Sequence, residues 1–232
     1  MKTLRMLALL FVACSAFAGE NNAPIQDNSF LVEEAYNQEP GVVQHILTFS
    51  RSRHGDWMST FTQEWPAGSL RHQFSFTPIV ESIDGRRSND FAIHYRYQLT
   101  GDGNATVAVS PRVTLLRSQA QVMIPVSVAL SPRVVTHWNL GYTTNPRTLN
   151  AAQSVVWLTS HRFNALVETV WSHSHRDHDL VVSPGVRWSY DLPGGLQIVP
   201  GVGVPFDLTE HSHSVFLYLS FEHPFKGAKA SG

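Results

Sequence analysis

Cysteine is all but missing from this chain. Cys14 is the only one among 232 residues, and it lies in an N-terminal stretch that reads as a secretory signal. Lys2 and Arg5 give a basic start, Met6 to Ala13 an apolar core, and Ala16-Phe17-Ala18 a small-x-small cleavage pattern, so the mature chain is expected to begin at Gly19. Cleavage there removes the thiol. Disulfides, thiol catalysis and zinc–cysteine centres are thereby excluded, which suits an envelope protein that folds without covalent staples. The alternative of lipoprotein processing at Cys14 fits Phe11-Val12-Ala13 poorly.

Excess charge of one sign is also lacking. The net charge is −1 and no basic tract occurs, so nucleic acid is not an expected partner. Long apolar runs are absent beyond the signal. The longest, Val122 to Leu130, is broken by Pro125 and Ser127 and falls far short of the ~20 residues a membrane helix needs. Enzyme signatures are missing as well: there is no Gly-x-Ser-x-Gly, His-Glu-x-x-His or phosphate loop. Ser160-His161 and Ser172-His173 are sequence neighbours that a strand would point to opposite faces. Neither an enzyme nor a cofactor is expected.

What is present is alternation of period two. In the C-terminal run, Val215, Leu217, Leu219, Phe221, His223 and Phe225 share one face, and Phe216, Tyr218, Ser220 and Glu222 the other. The same pattern recurs in Phe91 to Leu99, Val107 to Leu115, Val134 to Tyr142 and Val182 to Leu192, with turn residues between. No stretch has a convincing helical period. Twelve candidate strands follow, near 42–52, 56–66, 71–82, 90–100, 105–117, 120–131, 133–144, 151–161, 163–174, 179–192, 196–207 and 214–225. The pattern is least regular over 151–174, which leaves ten strands as an alternative count.

Strands of ~10 alternating residues can span a bilayer only as a closed barrel. Removal of the signal leaves about 214 residues, room for about twelve strands with turns. The expected fold is therefore all-β: a closed antiparallel transmembrane barrel over 41–225, preceded by a signal (1–18) and a periplasmic lead-in (19–40), and followed by a tail (226–232). An even count puts both chain ends on the periplasmic side. The charged stretches Ser82 to Asn89, His173 to Asp179 and Asp207 to His213 then become outer loops, with Arg117 to Gln119 unusually short. The lead-in, rich in Asn, Gln and Glu, could carry a short helix around Phe30 to Asn37.

Aromatic spacing agrees with a membrane barrel. Trp57 and Trp65, eight residues apart on one face, would lie ~20 Å apart along the membrane normal, near the ~25 Å apolar band of such barrels. Tyr97, Trp188, Tyr190 and Phe225 fall at one interface, and Phe91, Tyr142 and Trp171 at the other. A soluble sandwich would instead gather these rings at its centre. Six prolines (Pro78, Pro111, Pro125, Pro184, Pro200 and Pro205) sit inside proposed strands, where each removes a ladder donor.

Several segments resemble a group of bacterial outer-membrane proteins described as transporters related to the meta-pathway of phenol degradation. They are Asn28 to His45 (NSFLVEEAYNQEPGVVQH), Gly55 to Pro66 (GDWMSTFTQEWP), His94 to Leu99 (HYRYQL) and the closing strand. The resemblance implies an outer-membrane barrel that transports small organic compounds, with no catalytic residues to carry over. Seven residues follow Phe225 and the Arg117 to Gln119 connection is short, both departures from that pattern.

If the apolar faces meet lipid, Glu64, His94, Arg96, Arg112, His137, Arg187, Asp191 and Glu222 point into the lumen. Charged linings set selectivity in water-filled pores. The same mixed signs could pair with one another and plug a narrow barrel, and no anion or cation preference follows. His173, His175 and His178 in one outer loop, with His211 and His213 in the next, have suitable ligand chemistry for a divalent metal. The expected partners are outer-membrane lipid, the barrel-assembly machinery and a small polar or aromatic solute. A structural or surface-binding barrel without an open pore is the alternative.

Overall fold

A computed structural model describes residues 29–38, 41–101, 105–175, 177–192 and 196–224. The expected signal with its cleavage site, the expected tail, Phe225 and the expected turn at Pro193-Gly194-Gly195 lie outside these residues.

Twelve antiparallel strands form one closed barrel. They are β1 (Val42–Ser52), β2 (Trp57–Ala67), β3 (Ser69–Ile83), β4 (Arg86–Tyr97), β5 (Val107–Val109 and Arg112–Leu116), β6 (Ala120–Ser131), β7 (Val134–Thr144), β8 (Arg147–Ser160), β9 (Phe163–Ser174), β10 (His178–Trp188 and Tyr190–Leu192), β11 (Leu196–Gly203 and Phe206–Asp207) and β12 (Ser212–Pro224). Each strand pairs with its sequence neighbours, and β1 pairs with β12 from Val42↔Pro224 to Ser52↔Ser214 to close the ring. Closure leaves no sheet edge to satisfy, the condition for a sheet in hydrocarbon. The weakly alternating 151–174 region forms two full strands, β8 and β9, so the ten-strand count does not hold. No helix occurs over Phe30–Asn37, which is a run of bends and irregular backbone.

The distribution of side chains is inverted relative to a soluble domain. Leu217, Leu140, Trp138, Trp157, Phe91 and Val122 are among many large apolar residues exposed on the outside. The buried set is mostly polar, with Arg187, His137, Gln44, Gln73 and Glu168 among its largest fully enclosed members. An apolar exterior running all round a closed sheet is far larger than the patches soluble monomers tolerate, and lipid is the medium that suits it.

The prolines meet one another at the ladder interruptions. Pro111 lies in the break of β5, and Ser110 beside it donates to the Pro125 carbonyl of β6 at 3.1 Å. Pro205 lies in the break of β11, and Val204 donates to the Pro184 carbonyl of β10 at 3.0 Å. The register is the same on both sides of each gap. Each proline therefore costs its own donor without displacing the strand, and neighbouring pairs confine the loss to one place. Pro78 similarly sits where the β2–β3 pairing skips Phe61 and Thr62, and the Thr62 and Thr77 hydroxyls bridge the gap at 2.9 Å.

The expected long outer loops are tight turns. β3 and β4 continue through the charged Ser82–Asn89 stretch and turn at Asp84-Gly85, where both residues have positive φ (51° and 75°). β9 and β10 likewise extend to Ser174 and from His178. Strand propagation at the rim converts the charged stretches into barrel wall.

Candidate functional site

The inner wall is built by alternation, and successive strands put polar residues opposite one another. Ser127, His137, Ser154, Glu168 and Ser183 are consecutive cross-strand partners on β6 to β10. Asp191, Gln197, Glu222, Gln44, Glu64, Ser75 and His94 form a second row through β10, β11, β12, β1, β2, β3 and β4. Such a wall leaves donors and acceptors facing inward, and each buried one needs a partner.

The lead-in supplies partners. Ser29–Gln38 lies inside the barrel, with Val32 and Ala35 fully enclosed. Its backbone bonds to side chains of the wall where a strand would bond to another strand. Phe30, Leu31 and Val32 all donate their amides to one carboxylate oxygen, Glu168 Oε1, at 2.9, 2.9 and 3.1 Å. Asn139 takes the Glu33 amide on Oδ1 and returns its own Nδ2–H to the Glu33 carbonyl, each at 2.8 Å. The Ala35 amide donates to Ser127 Oγ at 2.8 Å, which also bonds His137 Nδ1 at 2.7 Å. Gln98 receives the Asn37 amide at 3.0 Å and donates to the Ala35 carbonyl at 2.7 Å. The Gln38 amide donates to Gln73 Oε1 at 2.8 Å, and the Gln38 side chain to Gln44. The amides of Phe30, Leu31, Val32, Glu33, Ala35, Asn37 and Gln38 are thus bonded without any ladder.

Two side chains of the segment anchor it. The Phe30 ring lies against Phe216 and Tyr218, with centroids 5.6 and 5.2 Å away. It fills a socket made by three inward-facing glycines of β10 and β11. A Cβ on Gly185 or Gly201 would come within 2.6 Å of the ring, and one on Gly203 within 3.2 Å. Glu33 faces β4 and β5, where its two carboxylate oxygens meet two guanidinium groups: Arg96 Nη2 to Oε2 at 2.8 Å, and Arg112 Nη1 to Oε1. Arg96 Nη1 also donates to the Tyr36 carbonyl at 2.7 Å.

His94 sits behind the arginines. Arg112 Nη2 lies 2.7 Å from His94 Nδ1. A guanidinium only donates, so Nδ1 accepts, and the ring proton is on Nε2, 2.9 Å from Thr77 Oγ1. Thr114 Oγ1 closes the group at 2.9 Å from Nδ1.

Of the residues expected to face the lumen, Glu64, His94, Arg96, Arg112, His137, Arg187 and Asp191 are buried and Glu222 is half-buried. They divide into separate groups. His94, Arg96 and Arg112 converge on Glu33, while His137 supports Ser127 beneath Ala35. Glu64 accepts from Gln73 at 2.9 Å and from Ser75 at 3.1 Å. Arg187 lies under the Phe30 socket, its Cβ beside Gly201. Asp191 accepts from Gln197 at 2.9 Å and lies 3.6 Å from Arg162. Glu222 is the cross-strand partner of both Gln44 and Gln197.

The loop histidines are spread along the rim. His173 opposes His178 across the β9–β10 ladder and stacks on Trp171 at 5.8 Å. His213 lies against Phe206, and His211 occupies a positive-φ turn position. His175 is in the connection between β9 and β10. Among the described residues, no three His, Cys, Asp or Glu side chains are grouped to hold a metal ion.

Glu168, Asn139, Gln98, Gln73 and Phe30 were not singled out from the sequence. Glu168 could have been: in Phe163 to Trp171 it is the one carboxylate on the face opposite Phe163, Val167 and Trp171. Phe30 had no comparable signal, because its socket consists of the absence of side chains on two strands far along the chain.

No family model and no curated protein matches this sequence. Among solved structures the chain is similar to a KdgM porin, with a TM-score of 0.60 and 8% identity over 77% of this chain and 98% of that one. It is similar to a NanC porin at a TM-score of 0.58 and 8% identity, covering 77% and 98%. A KdgM porin in complex with disordered oligogalacturonate aligns at a TM-score of 0.52 and 8% identity, covering 80% and 99%. At this identity the likeness shows the fold, the transmembrane β-barrel of outer-membrane porins. It does not extend to the phenol meta-pathway group that the sequence resembles.

Proposed function

We propose that this protein is an outer-membrane channel for small polar or aromatic solutes that rests closed, with Ser29–Gln38 as its plug. The observation that carries this reading is how the segment is held. Its backbone amides bond to side chains of the strands and not to their ladder groups, so it can leave the lumen without breaking a rung of the barrel. The wall it would uncover is polar and charged, a surface water can occupy. Ordering the segment costs ~1–2 kcal/mol per residue, and its hydrogen bonds return ~0.5–1.5 kcal/mol each. These terms are of the same size, which leaves the Phe30 socket and the Glu33 ion pairs to set the balance. The porin fold and the resemblance to the phenol meta-pathway group both support transport, the latter favouring small organic compounds.

A second reading, a structural barrel with no pore, is favoured by the number of wall groups the segment satisfies. Planar-bilayer recording separates the two. The native protein should be silent or open rarely, and Glu33→Gln combined with Glu168→Gln should give frequent conductance steps. A doubly substituted barrel that is folded, as judged by heat-modifiable gel mobility, and remains silent would sink the channel reading.

A further inference from the structure

The arrangement around Glu33 is that of a ligand site already occupied. Arg96 and Arg112 are direct cross-strand partners, so their guanidinium groups project side by side from adjacent strands. Each meets one oxygen of a single carboxylate, so two fixed cations together neutralise and orient one anionic group. The pair is fixed from the wall side, because His94 accepts from Arg112 and is itself held between Thr77 and Thr114. The arginine side chains are only 4% and 8% exposed, and both oxygens of the Glu33 carboxylate are taken up by them.

Electrostatics then restrict how the plug can leave. Among the described residues, Glu33 is the acid within ion-pair distance of both arginines. Withdrawal of Glu33 alone would leave two like charges directly opposite each other on adjacent strands with water in place of their counter-charge, a costlier state than the paired one. Release becomes favourable when another anion takes the place of Glu33. We propose that Arg96 and Arg112, positioned by His94, form a binding site for small solutes bearing a carboxylate. Glu33 is its resting occupant, and solute binding and plug release are two sides of one exchange. This inference rests on the channel reading for its consequence but not for the site itself.

Binding and flux are measured separately, with benzoate as the anionic probe and benzamide as its neutral counterpart. In detergent, Glu33→Gln protein, whose resting carboxylate is gone, should bind radiolabelled benzoate at one site by equilibrium dialysis. Its affinity should exceed that of the native protein by about tenfold or more, the scale of one charge-assisted contact. Adding Arg112→Gln should abolish that binding, and benzamide should bind neither. In liposomes, Glu33→Gln should pass benzoate about tenfold faster than benzamide, a preference the second substitution removes. Heat-modifiable mobility certifies each variant as folded, and Arg96→Gln replaces Arg112→Gln if the latter is not. If Glu33→Gln binds benzoate but passes neither probe, even with Glu168→Gln added, the site stands and the channel reading fails. Equal passage of both probes with no benzoate binding would retain the channel and overturn the site. Absence of both binding and passage overturns both.

Discussion

Enlarging the glycine socket wall tests whether Phe30 holds the plug in place. In Gly185→Ala/Gly201→Ala, the new methyl groups would stand 2.6 Å from the ring on two sides, about 1 Å inside a normal carbon–carbon contact of ~3.5 Å. Neither methyl can retreat, because each is fixed to a strand. The ring must leave, and with it go its contacts with Phe216 and Tyr218. Burial of a Phe side chain is worth ~1.5–3 kcal/mol, and each aromatic pair adds ~0.5–1.5 kcal/mol. For a half-buried ring we take ~2–4 kcal/mol in all, a shift of about 30- to 700-fold in the docked-to-released ratio at ~1.4 kcal/mol per decade. The strands themselves should not suffer, since alanine in a strand is ~0.5–1 kcal/mol better than glycine. The expected result is a barrel that keeps its heat-modifiable mobility while residues 29–38 become accessible to protease and conductance rises. Unchanged protease protection and conductance in the folded double variant would refute the anchoring role of Phe30.

Other consequences are equally direct. Glu168→Leu removes the common acceptor of three amides. Amide exchange at Phe30, Leu31 and Val32 should accelerate by well over tenfold, since each orphaned donor costs ~1–3 kcal/mol, and unchanged exchange would show that other groups hold this turn. Raising KCl from 0.1 to 1 M should leave native closure intact despite a Debye length of ~3 Å, because chloride is a single acceptor and cannot replace a carboxylate that gives one oxygen to each arginine. Salt-induced opening would place these charges in solvent. Leu217→Arg puts a charge on the lipid side of β12 and should reduce folding stability in vesicles by up to ~2–4 kcal/mol, depending on depth. A neutral outcome would remove Leu217 from the bilayer.

Much of the wall was legible because period-two alternation is a local property. Phe91, Ile93 and Tyr95 announce their outward face without reference to other strands, and His94 and Arg96 fall inward by elimination. That logic reached the strand count. It did not reach the loops, because the length of a rim strand depends on whether its neighbour extends alongside it, as β3 and β4 do through Ile83 and Arg86. Nor did it reach the plug. Ser29–Gln38 has no internal period, since its conformation is dictated by Glu168, Asn139, Gln98 and Gln73, residues dispersed over 96 positions. Helix propensity over Phe30–Asn37 lost to these long-range bonds. The arginine pair was visible as two lumen-facing cations. Its partner was hidden, because Glu33 lay in a segment with no strand pattern to orient it.

The seam between β1 and β12 gives the plug a second importance. Gln38 is bonded to Gln44 on one side of that seam, while Phe30 rests on Phe216 and Tyr218 on the other. A slip of one residue in β12 would reverse its faces, turning both rings toward lipid and leaving Phe30 without its aromatic floor. Correct docking therefore depends on correct closure. The ten-residue segment has its full set of partners only when the last strand of the chain has met the first in the right alignment.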